Sequence, residues 1–197
     1  MPDGIRRARW GLFVPLVLAV VVLDQVTKSW VLANVPQGGA IEVLGPYVRL
    51  VLTNNTGGLF GLFAGNAPVF AVVSIAVMLL IVAYESRVGA AYLPTIALGL
   101  LLGGAIGNFI DRIRLGYVVD FVDSGIGDLR WYTFNVADAA ISASIVLLIV
   151  MAVAPALAEL GAGRPATAPT AGTRSQVAGT LDDAPEAPAA DEEARVP

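Results

Sequence analysis

Residues 88–112 read VGAAYLPTIALGLLLGGAIGNFIDR, an uncharged apolar run from Val88 to Ile110 that closes on Asp111 and Arg112. About 20 apolar residues at 1.5 Å each cross a hydrocarbon layer of roughly 30 Å, so this stretch is long enough to span a bilayer. Within it Gly99, Gly103 and Gly107 recur at four-residue intervals, leaving a smooth helix face for close packing in lipid. Gly104, Asn108 and Arg112 form a second series of the same spacing, which places an amide and a guanidinium on one face.

Three further stretches have comparable length: Gly11 to Ala33, interrupted by Asp24 and Lys28; Ala67 to Tyr84, without charge; and Phe134 to Leu157, with Asp138 near its start. The predicted fold is therefore an all-α membrane protein with four transmembrane helices and a small extramembrane β-sheet between helices one and two. Ile41 to Leu44 and Tyr47 to Thr53 supply the strand text, parted by the turn pair Gly45-Pro46. Asn54-Asn55-Thr56-Gly57-Gly58 ends the second strand, so the β-rich segment occupies about 36–66. The other long connection, 111–133, is predicted to be a loop on the same side. A few residues around Glu85 and Arg87 are expected to join helices two and three as antiparallel neighbours.

Composition agrees with this class. The chain of 197 residues is 56% hydrophobic and 14% charged, against about 25% charged in soluble domains, and its mean hydropathy is +0.74. The net charge of −4 is concentrated at one end. Residues 161–197 carry six acidic and three basic groups, whereas residues 1–160 carry ten and nine. The acidic balance gives no nucleic-acid surface. Five prolines and no aromatic or isoleucine mark 161–197 as a disordered tail, leaving 1–160 as the membrane domain. Arg6, Arg7 and Arg9 place the N-terminus in the cytoplasm, and four spans return the tail there. Lys28, Arg49, Arg112, Arg114 and Arg130 run against that rule on the outer side, which suggests a role other than topology.

Cysteine and histidine are absent. Disulfides, thiol nucleophiles and thiolate metal sites are excluded, as is the commonest general base. Chemistry must come from carboxylates, hydroxyls, amides, arginines and the single lysine. Polar groups in lipid are costly and gather where function is. Asp24 and Lys28 sit at i and i+4 and read equally well as a self-neutralising pair. Asn55 and Gly57 offer a peptide-binding amide and close backbone approach, or simply a turn leaving a strand. Asn108, Asp111 and Arg112 cluster at a membrane boundary, although Arg112 also suits a helix C-terminus. Asn135 followed by Asp138 makes a good helix start, and Asp120 alone reads as a solvated loop carboxylate, like Asp123 or Asp128. Brought together, however, two carboxylates cannot both ionise. The ionised one can draw a proton from water while the protonated one donates to a carbonyl oxygen.

The ordered blocks Asp24-Gln-Val-Thr-Lys28, Asn55-Thr-Gly57…Phe60, Gly103-Gly104-Ala-Ile-Gly-Asn108-Phe-Ile-Asp111-Arg112, Gly116-Tyr-Val-Val-Asp120-Phe121 and Phe134-Asn135-Val-Ala-Asp138 resemble bacterial lipoprotein signal peptidase, or signal peptidase II. The resemblance covers about 11–155; Gly58-Leu59 departs from the small residues usual there. It implies an aspartic endopeptidase of the cytoplasmic (inner) membrane with its site near the outer face. Such an enzyme cuts diacylglyceryl-modified prolipoproteins on the amino side of the lipidated cysteine, without cofactor or metal, and is inhibited by globomycin. It implies Asp120 and Asp138 as the catalytic pair. Asn55, Gly57, Gly104, Asn108, Arg112 and Asn135 would hold substrate or the pair, and Asp24, Lys28 and Asp111 would support the site. The expected partners are lipidated prolipoproteins, membrane lipid and globomycin-type inhibitors, with the enzyme a monomer. Two rivals remain on residues alone. A small proton-coupled transporter or channel would want its carboxylates near the bilayer midplane; a purely structural membrane subunit would need no polar clustering.

Overall fold

The computed structural model describes residues 9–57, 67–88 and 91–158; the 161–197 tail and the Gly58-Leu59 departure lie outside them. Helix α1 spans Trp10–Asn34, and β1 (Ala40–Glu42) and β2 (Val48–Asn55) follow. Next come α2 (Ala67–Val88), α3 (Tyr92–Leu115), β3 (Val118–Ile126), β4 (Leu129–Arg130), α4 (Val136–Val153) and the single turn α5 (Pro155–Ala158).

Among the described residues, α1, α3 and α4 are long and apolar enough to cross a membrane. The outward faces of α1 and α4 are largely apolar: Leu18, Val22, Val26, Ile145, Val146 and Ile149 are all exposed. A helix apolar on its outer face needs a lipid solvent.

Helix α3 is the hub, packed against α1, α4 and α2. The glycine series explains how. A Cβ at Gly103 would lie 2.7 Å from Val20 Cβ, and one at Gly107 would lie 2.5 Å from Asp24 Oδ2. A Cβ at Gly104 would lie 2.5 Å from the Ala137 carbonyl oxygen. Gly103 and Gly107 thus admit α1, while Gly104 admits the first turn of α4. Phe13, Val17, Ile81, Leu98 and Leu102 fill the core between α1, α2 and α3.

Two sequence expectations are corrected here. Glu85 and Arg87 belong to α2 rather than to the connection, because Glu85 is buried and accepts a hydrogen bond from Thr95 Oγ1 of α3 at 3.0 Å. The 111–133 segment is not a loop. Helix α3 continues to Leu115 and stops at Gly116, whose φ of 80° is left-handed. The chain then enters β3, which pairs antiparallel with β2. The sheet has four strands in the order β1-β2-β3-β4, so it is built from both long connections rather than from the first alone. Its register shifts between the Leu50–Val122 and Thr53–Asp120 pairs. A bulge of this kind re-aims the side chains beyond it, and those are the ones that meet Asp120.

Candidate active site

Asp120 lies on β3 and is 2% exposed. The strand, not a loop, holds it. Val122 N–H donates to the Phe134 carbonyl at 2.7 Å and Phe134 N–H returns the bond at 3.1 Å, which brings the start of α4 beside the strand. Asn135 then donates from Nδ2 to Asp120 Oδ1 at 2.7 Å. From the other side, Asn55 at the end of β2 donates from Nδ2 to Asp120 Oδ2 at 2.9 Å. Both oxygens of Asp120 are thus held by amides from different connections.

Asp138 occupies the first turn of α4. Asn135 is the N-cap, accepting from Asp138 N–H at 2.9 Å, while Asp138 Oδ2 accepts from Asn135 N–H at 3.3 Å. This reciprocal capping box means the helix-start reading of Asp138 is correct as structure. It leaves Oδ1, which accepts from Asn108 Nδ2 of α3 at 2.8 Å. Burial and the nearby charge of Asp138 push the Asp120 carboxyl up to about 7, so the two acids sense each other and one proton is retained near neutrality.

A buried charged cluster stands behind them. Lys28 Nζ lies 2.8 Å from Asp24 Oδ2, 2.9 Å from Asp111 Oδ2 and 3.0 Å from Asn108 Oδ1. Asp24 is 0% and Lys28 2% exposed, so the pair is internal and not a snorkelling surface contact. Asp24 Oδ1 accepts from Ala137 N–H at 3.0 Å, and Asp111 Oδ2 accepts from Val119 N–H at 3.1 Å. Arg112 reaches the other way, donating from Nη2 to the Gly57 carbonyl at 3.1 Å and from Nη1 to the Asn108 carbonyl at 3.2 Å. Gly57 N–H in turn donates to Asn55 Oδ1 at 3.0 Å.

A cavity of about 350 Å³ opens beside Asp120, walled by Thr53, Asn54, Asn55, Thr56, Gly57, Trp131, Tyr132 and Thr133. No sequence signal announces the aromatic wall, since Trp131 and Tyr132 sit in text with no motif. Gln25 is a second site residue that the sequence reading does not single out. It stands between Asp24 and Asp111, and its place inside the Asp24–Lys28 block was the available signal. Among the described residues, no three acidic side chains converge as a metal site would require.

Asp123 departs from expectation. It is buried rather than solvated, accepting from Arg49 Nε and from Arg130 Nε, each at 2.9 Å. These guanidinium groups hold its carboxyl below the usual carboxylate range.

Residues 16–154 match the family described as signal peptidase (SPase) II. The chain belongs to the signal peptidase II family. The lipoprotein signal peptidase of Syntrophomonas wolfei is 37% identical over 142 residues, 72% of this chain and 90% of that one. That of Rhodopseudomonas palustris is 40% identical over 141 residues, 67% of this chain and 85% of its own. A solved bacterial membrane enzyme, determined in meso at 2.3 Å resolution, has a TM-score of 0.67 at 26% identity and covers 78% of this chain and 94% of its own. As a signal peptidase II the chain is an aspartic peptidase that removes signal peptides, and it is a membrane protein.

Proposed function

We propose that this signal peptidase II cuts diacylglyceryl-modified prolipoproteins on the amino side of the lipidated cysteine, using Asp120 and Asp138 as its catalytic pair. The observation that carries this reading is the pairing itself. Two carboxylates, one on β3 and one in the first turn of α4, are each fixed by an asparagine amide, and one is raised to about 7 by burial and by the other's charge. With one proton shared, Asp138 takes a proton from water as the water oxygen bonds to the scissile carbonyl carbon. Asp120 donates its proton to the carbonyl oxygen. As the C–N bond breaks, Asp138 returns its proton to the leaving amine, and Asp120 recovers its own as the carbonyl re-forms.

Asn55, Asn108 and Asn135 hold the pair, and Arg112 ties the Gly57 carbonyl to α3 so that the cavity wall stays in register. Gly104 admits α4 and thereby sets where Asp138 stands. Helix α2 supplies the fourth span, and both termini are cytoplasmic with the sheet on the outer face of the cytoplasmic membrane. Lipid anchoring confines the substrate to the membrane plane, so a pair at the helix–sheet boundary meets the bond beside the lipidated residue. The enzyme works as a monomer without cofactor, and 161–197 is dispensable for turnover. The transporter reading draws no support from the family match.

Purified enzyme in detergent with a lipidated prolipoprotein, read by gel shift, tests the reaction; globomycin-sensitive cleavage is expected. Uncleaved substrate with folded enzyme would overturn it. A cysteine placed at Ser124 should label from outside the cell; labelling confined to the cytoplasmic side would reverse the topology.

A further inference from the structure

We propose that Gln25 is a positioning residue of the reaction, clamping the two carboxylates that each hold the backbone just ahead of a catalytic aspartate. The inference rests on Asp120 and Asp138 being the catalytic pair. Val119 N–H, one residue before Asp120, donates to Asp111 at 3.1 Å. Ala137 N–H, one residue before Asp138, donates to Asp24 at 3.0 Å. The separation of the pair is therefore set through the backbone by Asp111 on α3 and Asp24 on α1.

What holds those two carboxylates is limited. An ammonium group has three protons, and Lys28 directs its three at Asp24 Oδ2, Asp111 Oδ2 and Asn108 Oδ1. Nothing from Lys28 remains for Asp111 Oδ1, and Gln25 supplies that donor from Nε2 at 3.0 Å. The same nitrogen lies 3.2 Å from Asp24 Oδ2 and 3.2 Å from the Gly107 carbonyl oxygen. All three neighbours are acceptors, which settles the amide orientation. The amide oxygen then faces outward and accepts from Arg114 Nη1 at 3.2 Å. With both Oδ atoms engaged, Asp111 cannot rotate its carboxylate away from Val119 N–H. Without Gln25 one oxygen is released, and the carboxylate can turn at the cost of the Val119 bond.

Gln25 contacts neither the cavity wall nor either catalytic carboxylate in the bonding described, so its loss should change the chemical step and leave substrate binding. Gln25→Met keeps length and removes both amide functions. A small misplacement of catalytic groups costs about tenfold to a hundredfold. The expectation for Gln25→Met is a kcat lower by about tenfold, KM within about twofold and a melting temperature within about 2 °C of wild type. Gln25→Asn, which keeps the amide on a shorter stem, should recover part of the loss.

Unchanged kcat in folded Gln25→Met, or a loss that only tracks the folded fraction, would overturn the proposal. If Gln25→Met does not accumulate in the membrane, Gln25→Asn decides. A reduced kcat at unchanged KM then supports the role, and wild-type kcat rejects it. Asp120→Asn and Asp138→Asn are measured alongside. Activity in either of those would remove the catalytic assignment itself, an outcome separate from silence at Gln25.

Discussion

Asn135 donates from Nδ2 to Asp120 Oδ1 across 2.7 Å, so the residue that caps α4 also fixes the acid on the neighbouring strand. One side chain thereby serves helix stability and site geometry, and the two uses are separable. Serine caps as well as asparagine does but cannot donate an amide to Asp120. Asn135→Ser should melt within a few degrees of wild type. Its turnover should fall about tenfold, since leaving a buried polar group without its hydrogen bond costs about 1–3 kcal/mol. Thermal melts beside kcat measurements check this.

Asp120→Asn and Asp138→Asn should each abolish cleavage, since neither amide can exchange the shared proton. The double variant should be no worse than either single one, because groups acting as a unit are non-additive. Asp128, exposed in the β3–β4 turn, is the control, and Asp128→Asn should keep most activity. Substantial turnover by pure Asp138→Asn would leave that residue as a capping group.

Asp123 is not a second control. It is the shared acceptor of Arg49 and Arg130, and Asp123→Asn should destabilise the sheet by about 1–3 kcal/mol. Its carboxyl is held low in the folded protein. The associated stability is therefore present above the ordinary carboxylate range and is lost as pH falls through the folded value. The melting difference between wild type and Asp123→Asn should accordingly narrow in acid; a constant gap from pH 3 to pH 8 would count against the pairing.

Asp120 carries the opposite sign. Its folded value of about 7 lies above the ordinary 3.8, so the folded protein holds the proton more tightly. Stability contributed by this group is greatest below the ordinary value and declines as pH rises through about 7. Asp120→Asn should therefore raise the melting temperature at pH 8, with the gain shrinking towards pH 4. In the active enzyme, kcat/KM should fall as pH rises past about 7, where the shared proton leaves.

Arg112 donates through two nitrogens to the Gly57 and Asn108 carbonyls, a geometry that lysine's point charge cannot reproduce. Arg112→Lys should insert at normal levels and lose about tenfold or more in activity. Full activity would reduce Arg112 to a charge at the end of a helix.

What could be read along the chain was whatever depends on near neighbours. The apolar runs at 11–33, 88–110 and 134–157 marked where α1, α3 and α4 lie, while their ends at Trp10–Asn34, Tyr92–Leu115 and Val136–Val153 were set by caps and packing. Asn135 and Asp138 were legible as a cap, and Asp24 with Lys28 as a pair, because those partners are three and four residues apart. The resemblance to signal peptidase II lay in the same short blocks. The tertiary structure decided what joins those blocks. Asn55 meets Asp120 from 65 residues away, and Ala137 N–H meets Asp24 from 113 residues away. Neither contact has a periodicity to announce it. The 111–133 segment lacked a visible partner, and it becomes a strand because β2 offers an open edge. Asp123 is buried by two arginines from different strands, and Glu85 by a threonine on another helix. Gln25 gains its place because Gly107 brings α3 close enough for one amide to reach two carboxylates. A local pattern records which way a side chain faces, but the group it meets is set by how the helices and strands pack.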